Sequence, residues 1–114
     1  MQLDRLTVTF SALADPTRRA ILQRLALGEA SVSDLAAPFE ISMPAISRHL
    51  KVLEQAGLVA RTRQAQWRPV QLTAAPLAEV AGWVDRYRQH WQGQFDRMDA
   101  YLAELQKGDP DAKQ

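Results

Sequence analysis

Apolar residues recur every three to four positions through most of this chain, and polar breaks separate the runs. Leu3, Leu6, Phe10 and Leu13 share one side of a helix predicted over residues 3–13. Asp15-Pro16 then supplies an N-cap and a proline at the first helical position. The second helix runs through TRRAILQRLALG, with Ile21, Leu22 and Leu25 inward and Gly28 as its terminator. Ser31 or Ser33 caps a short third helix holding Leu35, Ala36 and Phe39, and Pro38 limits its length. Ser42 caps the fourth. Met43-Pro44 enters its first turn, Ile46, Leu50 and Leu53 form its stripe, and Gly57 closes it.

The period then changes. LVARTRQAQWRPVQLT reads as two short strands about a polar turn near Gln64 to Gln66, and Pro69 suggests an edge position for the second. From residue 76 to 106 one long helix is expected. Val80, Val84, Tyr87, Trp91, Phe95, Met98, Leu102 and Leu105 are separated by 4, 3, 4, 4, 3, 4 and 3, so the stripe stays on one side throughout. Such a helix spans roughly 45 Å, more than so small a domain covers alone. Residues 108–114 are polar and expected to be disordered. Residues 1–107 read as one domain, with no repeat and no linker.

The order helix, helix, short helix, helix, hairpin gives a mainly α protein with a β-hairpin wing: a winged helix-turn-helix with a long C-terminal dimerisation helix. SVSDLAAPF and SMPAISRHLKVLEQAG form the pair, joined at Glu40-Ile41-Ser42. With Ile46, Leu50 and Leu53 turned inward, the fourth helix presents Ser42, Pro44, Ala45, Ser47, Arg48 and Lys51. Small residues let a helix approach base edges closely, Ser47 exchanges hydrogen bonds with base or phosphate, and Arg48 suits guanine bidentately. The helix N-terminus, with free amides and positive dipole character, suits a phosphate. The wing adds Arg61, Arg63, Gln64, Gln66 and Arg68 around Trp67, which is expected to pack against the domain.

Composition narrows the function. The 114 residues carry a formal charge of +1, which names no partner, but the distribution does. Residues 42–73 hold Arg48, Lys51, Arg61, Arg63 and Arg68 against the single acid Glu54, while both flanks are mildly acidic. A polyanion is met by that middle segment. The absence of cysteine excludes disulfides, Cys-ligated zinc and thiol sensing. MQLDRLTVTFSALADP carries acidic residues and no long apolar run, so no signal peptide is expected there, and a cytoplasmic protein without a membrane span is expected. No nucleophile elbow, glycine-rich phosphate loop or HExxH motif is present, so an enzyme is not expected and no cofactor is implied.

LADPTRRAILQRL, then SVSDLAAPFEISMPAISRHLKVLEQAGLV, then the Arg-rich wing ending in PVQLT resemble the ArsR/SmtB family of bacterial transcriptional repressors. The final helix resembles that of a metal-independent branch, and the likeness covers roughly residues 5–106. It implies a homodimer joined through the first and last helices and bound to an inverted-repeat DNA operator. Leu3, Leu6, Phe10, Val80, Val84, Tyr87, Trp91, Phe95, Met98 and Leu102 are the interface expected from it. The family's sensing residues do not carry over. Its arsenic and cadmium sensors use cysteines, absent here, and its zinc and nickel sensors use an Asp–His pair with a second histidine following. Here Asp85 and His90 are five apart and no second histidine follows, so no metal site is expected.

Several residues admit two readings. His49 either contacts DNA or closes the seam with the preceding helix. Arg18 and Arg19 either touch phosphate or lie on a solvated surface. Trp83, Tyr87, Trp91, Phe95 and Tyr101 form a dimer core or line a pocket for an unknown small-molecule effector; core is favoured by their coiled-coil-like spacing. Two rival functions remain: a metal-responsive repressor using His90 with Asp85 or Asp99, and a winged-helix protein–protein module. The second would call for an apolar recognition face, where this chain has Arg48 and Lys51.

Overall fold

The computed structural model describes residues 4–62 and 68–108. Six helices and one hairpin follow in order: α1 (Arg5–Leu13), α2 (Pro16–Leu25), α3 (Val32–Ala36), α4 (Met43–Gln55), β1 (Val59–Arg61), β2 (Val70–Leu72), α5 (Ala75–Asp85) and α6 (Arg88–Gly108). The chain divides into two compact units, Met1–Val80 and Ala81–Gln114, with the boundary inside α5.

Local chemistry starts each of the first four helices. Asp4, Asp15, Ser31 and Ser42 stand in extended backbone, and each side chain accepts from the amide three residues on. Ser31, not Ser33, is therefore the cap of α3. The first helix starts at Arg5 with Asp4 as its cap, and Leu3 lies outside the described residues. α4 ends where Gly57 adopts a φ of +75° and the Leu58 amide reaches back to the Leu53 carbonyl at 2.9 Å. That pairing satisfies an end carbonyl and needs the left-handed backbone that glycine adopts without strain.

The core of this unit is Ile21, Leu22 and Leu25 from α2, Leu35 from α3, Ile46, Leu50 and Leu53 from α4, and Leu58, Val59 and Val70 from the hairpin, all buried. Phe39 packs against it half-buried. Burying each Leu or Ile contributes about 1.5–3 kcal/mol, so these residues hold α4 against α2 and α3 and leave its opposite face to solvent.

β1 and β2 are antiparallel, with Val59 opposite Leu72, Ala60 opposite Gln71 and Arg61 opposite Val70. In this two-stranded sheet β2 is an edge strand, as Pro69 suggested, except at one residue. Val70 also exchanges both backbone hydrogen bonds with Ala30, at 2.8 and 3.1 Å, so β2 has neighbours on both sides there. Pro69 sits one residue before the strand, fully buried, where its missing amide costs no ladder bond. Gln71 adds a bond from Nε2 to Glu29 Oε2 at 2.7 Å.

The single helix expected over residues 76–106 is two. Between α5 and α6 the amides of Arg86 and Tyr87 bond to the carbonyls of Trp83 and Val84, three residues back rather than four, at 3.2 and 2.9 Å. Arg88 Nε reaches Asp85 Oδ1 at 3.0 Å across this turn, and the Trp83 and Tyr87 rings lie 5.1 Å apart. One tightened turn leaves the spacing of apolar residues almost unchanged, so periodicity alone passes over the break. α6 keeps 21 residues and a long apolar stripe. Among the described residues no helix is long and apolar enough to cross a membrane.

Candidate nucleic-acid interface

The face of α4 turned from the core is open. Ser42, Pro44, Ser47, Arg48 and Lys51 are exposed, and Ala45 is half-buried. Among the described residues no carboxylate pairs with Arg48, Lys51 or Arg68. Arg61, on β1 beside this face, is exposed too, but its Nε lies 3.5 Å from Glu54 Oε2, the one acid of the segment. Arg63, Gln64, Gln66 and Trp67 lie outside the described residues, as does the turn expected near Gln64 to Gln66.

The start of α4 is less generous to an anion than its sequence suggests. Pro44 has no amide hydrogen. The Ala45 amide is taken by Ser42 Oγ at 3.3 Å and that of Ile46 by the Ser42 carbonyl at 3.1 Å. Of the first-turn amides, that of Met43 is left for an outside partner. The Ser42 hydroxyl accepts within the cap but keeps its own hydrogen to donate outward.

His49 sits half-buried at the seam with α2. Its Nδ1 lies 3.4 Å from Arg18 Nη1 and 3.8 Å from Asp15 Oδ2. Asp15 is the α2 cap, and its carboxyl is held below the usual carboxylate range first by the hydrogen bond from the Arg18 amide. Arg18 and Arg19 are both engaged with carbonyls of the preceding helix. Arg18 Nε donates to the Ala12 carbonyl at 2.7 Å and Nη2 to that of Ser11 at 3.1 Å, while Arg19 Nη1 donates to Leu13 at 2.7 Å. Two cations thus satisfy the carbonyl end of α1. No residue within α1 announces this, because the partners come from the next helix.

Of the residues expected at a dimer interface, Val84, Tyr87, Phe95, Met98 and Leu102 are exposed, as is Phe10; Leu6, Val80 and Trp91 are half-buried. Asp85 is engaged by Arg88, and the His90 ring lies 6.2 Å from that of Tyr87. Among the described residues no three His, Asp or Glu side chains come together as a metal site would need. A cleft of about 380 Å³ lies among Arg5, Thr9, Gln55, Gly57, Thr73 and Pro76.

A helix-turn-helix domain family model matches residues 13–62. An HTH-type transcriptional regulator of Mycobacterium tuberculosis is 45% identical over 78 residues, covering 68% of this chain and 73% of that protein. The transcriptional repressor SdpR of Bacillus subtilis is 39% identical over 75 residues, covering 66% and 83%. Among solved structures, an ArsR family transcriptional regulator superposes with a TM-score of 0.71 at 37% identity, over 78% of this chain and 98% of the other.

Proposed function

The chain belongs to the ArsR family of winged helix-turn-helix transcriptional regulators, and we propose that within it this protein is a homodimeric repressor of an inverted-repeat operator, working in the cytoplasm without a metal effector. The observation that supports this most is the open polar face of α4. There Ser47, Arg48 and Lys51 stand on a helix anchored by three buried apolar residues, with Arg61 and Arg68 at the root of the wing. α4 enters a major groove with Arg48 reading a base edge and Ser47 beside it. Lys51, Arg61 and Arg68 hold phosphates, joined by Arg63, Gln64 and Gln66 of the wing. His49 serves from the seam, by holding α4 in place.

Dimerisation answers the exposed stripe of α6. Phe95, Met98, Leu102 and Leu105 are each at least half exposed in the single chain, and a second copy offers the same stripe in return. Two recognition helices then address half-sites about 34 Å apart or a small multiple of that. The absence of cysteine and the engagement of Asp85 by Arg88 favour regulation without metal.

The test is selection of a duplex from a randomised pool, followed by titration of that duplex and of a scrambled one. Arg48→Ala is expected to lose about tenfold or more on the selected duplex and little on the scrambled one, in line with the loss of a bidentate base contact. Equal losses on both reduce Arg48 to a phosphate anchor. A pool that shows no enrichment refutes the DNA reading.

A further inference from the structure

We propose that Arg18 is a positioning residue for DNA reading: one guanidinium ties the end of α1 to His49 on the recognition helix α4 and so sets where that helix stands. The inference rests on the DNA-binding reading above. Arg18 lies on the first turn of α2, half-buried. Its Nε and Nη2 hold the Ala12 and Ser11 carbonyls at 2.7 and 3.1 Å, and its third nitrogen, Nη1, meets His49 Nδ1 at 3.4 Å. All three lie in one rigid plane. A displacement of α1 relative to α2 therefore reaches the middle of α4 through a single side chain. Lysine, a point charge on a flexible stem, cannot hold three acceptors in this way.

The contact also dictates the state of the imidazole. A guanidinium has donors only, so Nδ1 must present its lone pair, which places the hydrogen of neutral His49 on Nε2. Asp15 Oδ2 lies 3.8 Å from the same Nδ1 nitrogen. Among the described residues Arg18 and Asp15 are the charged groups that face this nitrogen, both from α2 and its cap. The side chain that caps α2, the one that closes α1 and the one at the centre of α4 thus form one cluster. The sequence separates them by up to 34 positions, from Asp15 to His49.

The experiment compares wild type, Arg18→Lys, His49→Ala, His49→Asn and the double variant Arg18→Lys/His49→Ala, using the full chain and the selected and scrambled duplexes. Melting curves monitor the fold. Nitrogen-15 NMR of the imidazole reads the tautomer without DNA. Arg18→Lys and His49→Ala are each expected to lose roughly five- to tenfold on the selected duplex, and the double variant no more than either, as coupled residues do. His49→Asn, whose side-chain oxygen can stand where Nδ1 stands, recovers most of what alanine loses. The neutral wild-type ring is expected in the Nε2–H form, and Arg18→Lys is expected to change the tautomer balance. Additive losses overturn the proposal. So does asparagine performing no better than alanine, which marks a direct DNA contact through the other ring nitrogen. A wild-type ring protonated on Nδ1 overturns it as well. Should wild type bind no duplex, the DNA reading fails by itself, and the tautomer still decides whether Arg18 holds His49.

Discussion

Replacing Glu54 by glutamine should tighten DNA binding, and the structure gives the size of the gain. Glu54 is the one acid among the five basic residues of positions 42–73, and it faces Arg61 at 3.5 Å from the far end of α4. Both side chains remain open, 48% and 35% exposed, so water screens the pair. Coulomb's law in bulk water gives about 1.2 kcal/mol at that distance, and exposed pairs usually measure about 0.2–1 kcal/mol. Arg61 must give up this partner before a phosphate can have it. Across two protomers the release is worth about 0.5–2 kcal/mol, or roughly two- to thirtyfold in affinity. Phosphates carry no sequence, so the selected and scrambled duplexes gain equally. Arg61 also becomes fully available to displace counterions. The log–log salt dependence, about −5 for Lys51, Arg63 and Arg68 on two protomers, then steepens by up to about 2. Fluorescence anisotropy at several salt concentrations measures both quantities. Unchanged affinity in Glu54→Gln refutes the reasoning. So does a gain that survives in an Arg61→Ala background, because Glu54 would then act through its charge at large and not through Arg61.

Stability should fall in acid through two helix caps. Hydrogen bonds hold Asp4 and Asp15 below their ordinary value of 3.8, first from the amides of Thr7 and Arg18. Their stabilisation is complete above that value and lost as pH falls through the lower folded values, and melting curves between about pH 5 and pH 2 should show it. Asp4→Asn/Asp15→Asn keeps the caps and should flatten this acid limb; an unchanged limb argues that other carboxylates set it. Gly57→Ala places a side chain at a φ of +75°, and the added carbon would stand 3.7 Å from Pro76 Cγ, so backbone strain and not crowding decides the cost. About 1–2 kcal/mol and a melting temperature lower by about 5–10 °C are expected, and an unshifted melt contradicts the end-cap role. Leu102→Asp on α6 should yield a monomer by light scattering and weaken operator binding. A dimer that persists, or a monomer with undiminished affinity, removes this stripe from the interface.

Capping chemistry made the first unit readable from its residues. Asp15-Pro16, Ser42 and Gly57 act within a few positions of themselves, and the structure puts each where its type demands. The stripe of Ile46, Leu50 and Leu53 likewise told which face of α4 stays open, because helical period ties one face to the other. What escaped was chemistry between distant positions. The Ala30–Val70 bridge spans forty residues and draws only on backbone groups, which have no signature in a list of side chains. Arg18 and Arg19 close a helix to which they do not belong. Glu54 pairs with Arg61 only because the turn at Gly57 folds β1 back beside α4. The interruption after Asp85 has no proline or glycine to mark it, and the apolar rhythm runs through it undisturbed.

The double hold on Val70 bears on how such a regulator can change its target. At Val70 the base of the wing bonds to Ala30 on one flank and stands opposite Arg61 on the other, both outside residues 63–67. In the DNA-binding reading proposed above, a change in the length or charge of that stretch is expected to alter groove preference while these two contacts stay in place. On that reading, new operators are open to exploration there without spending the stability of the body.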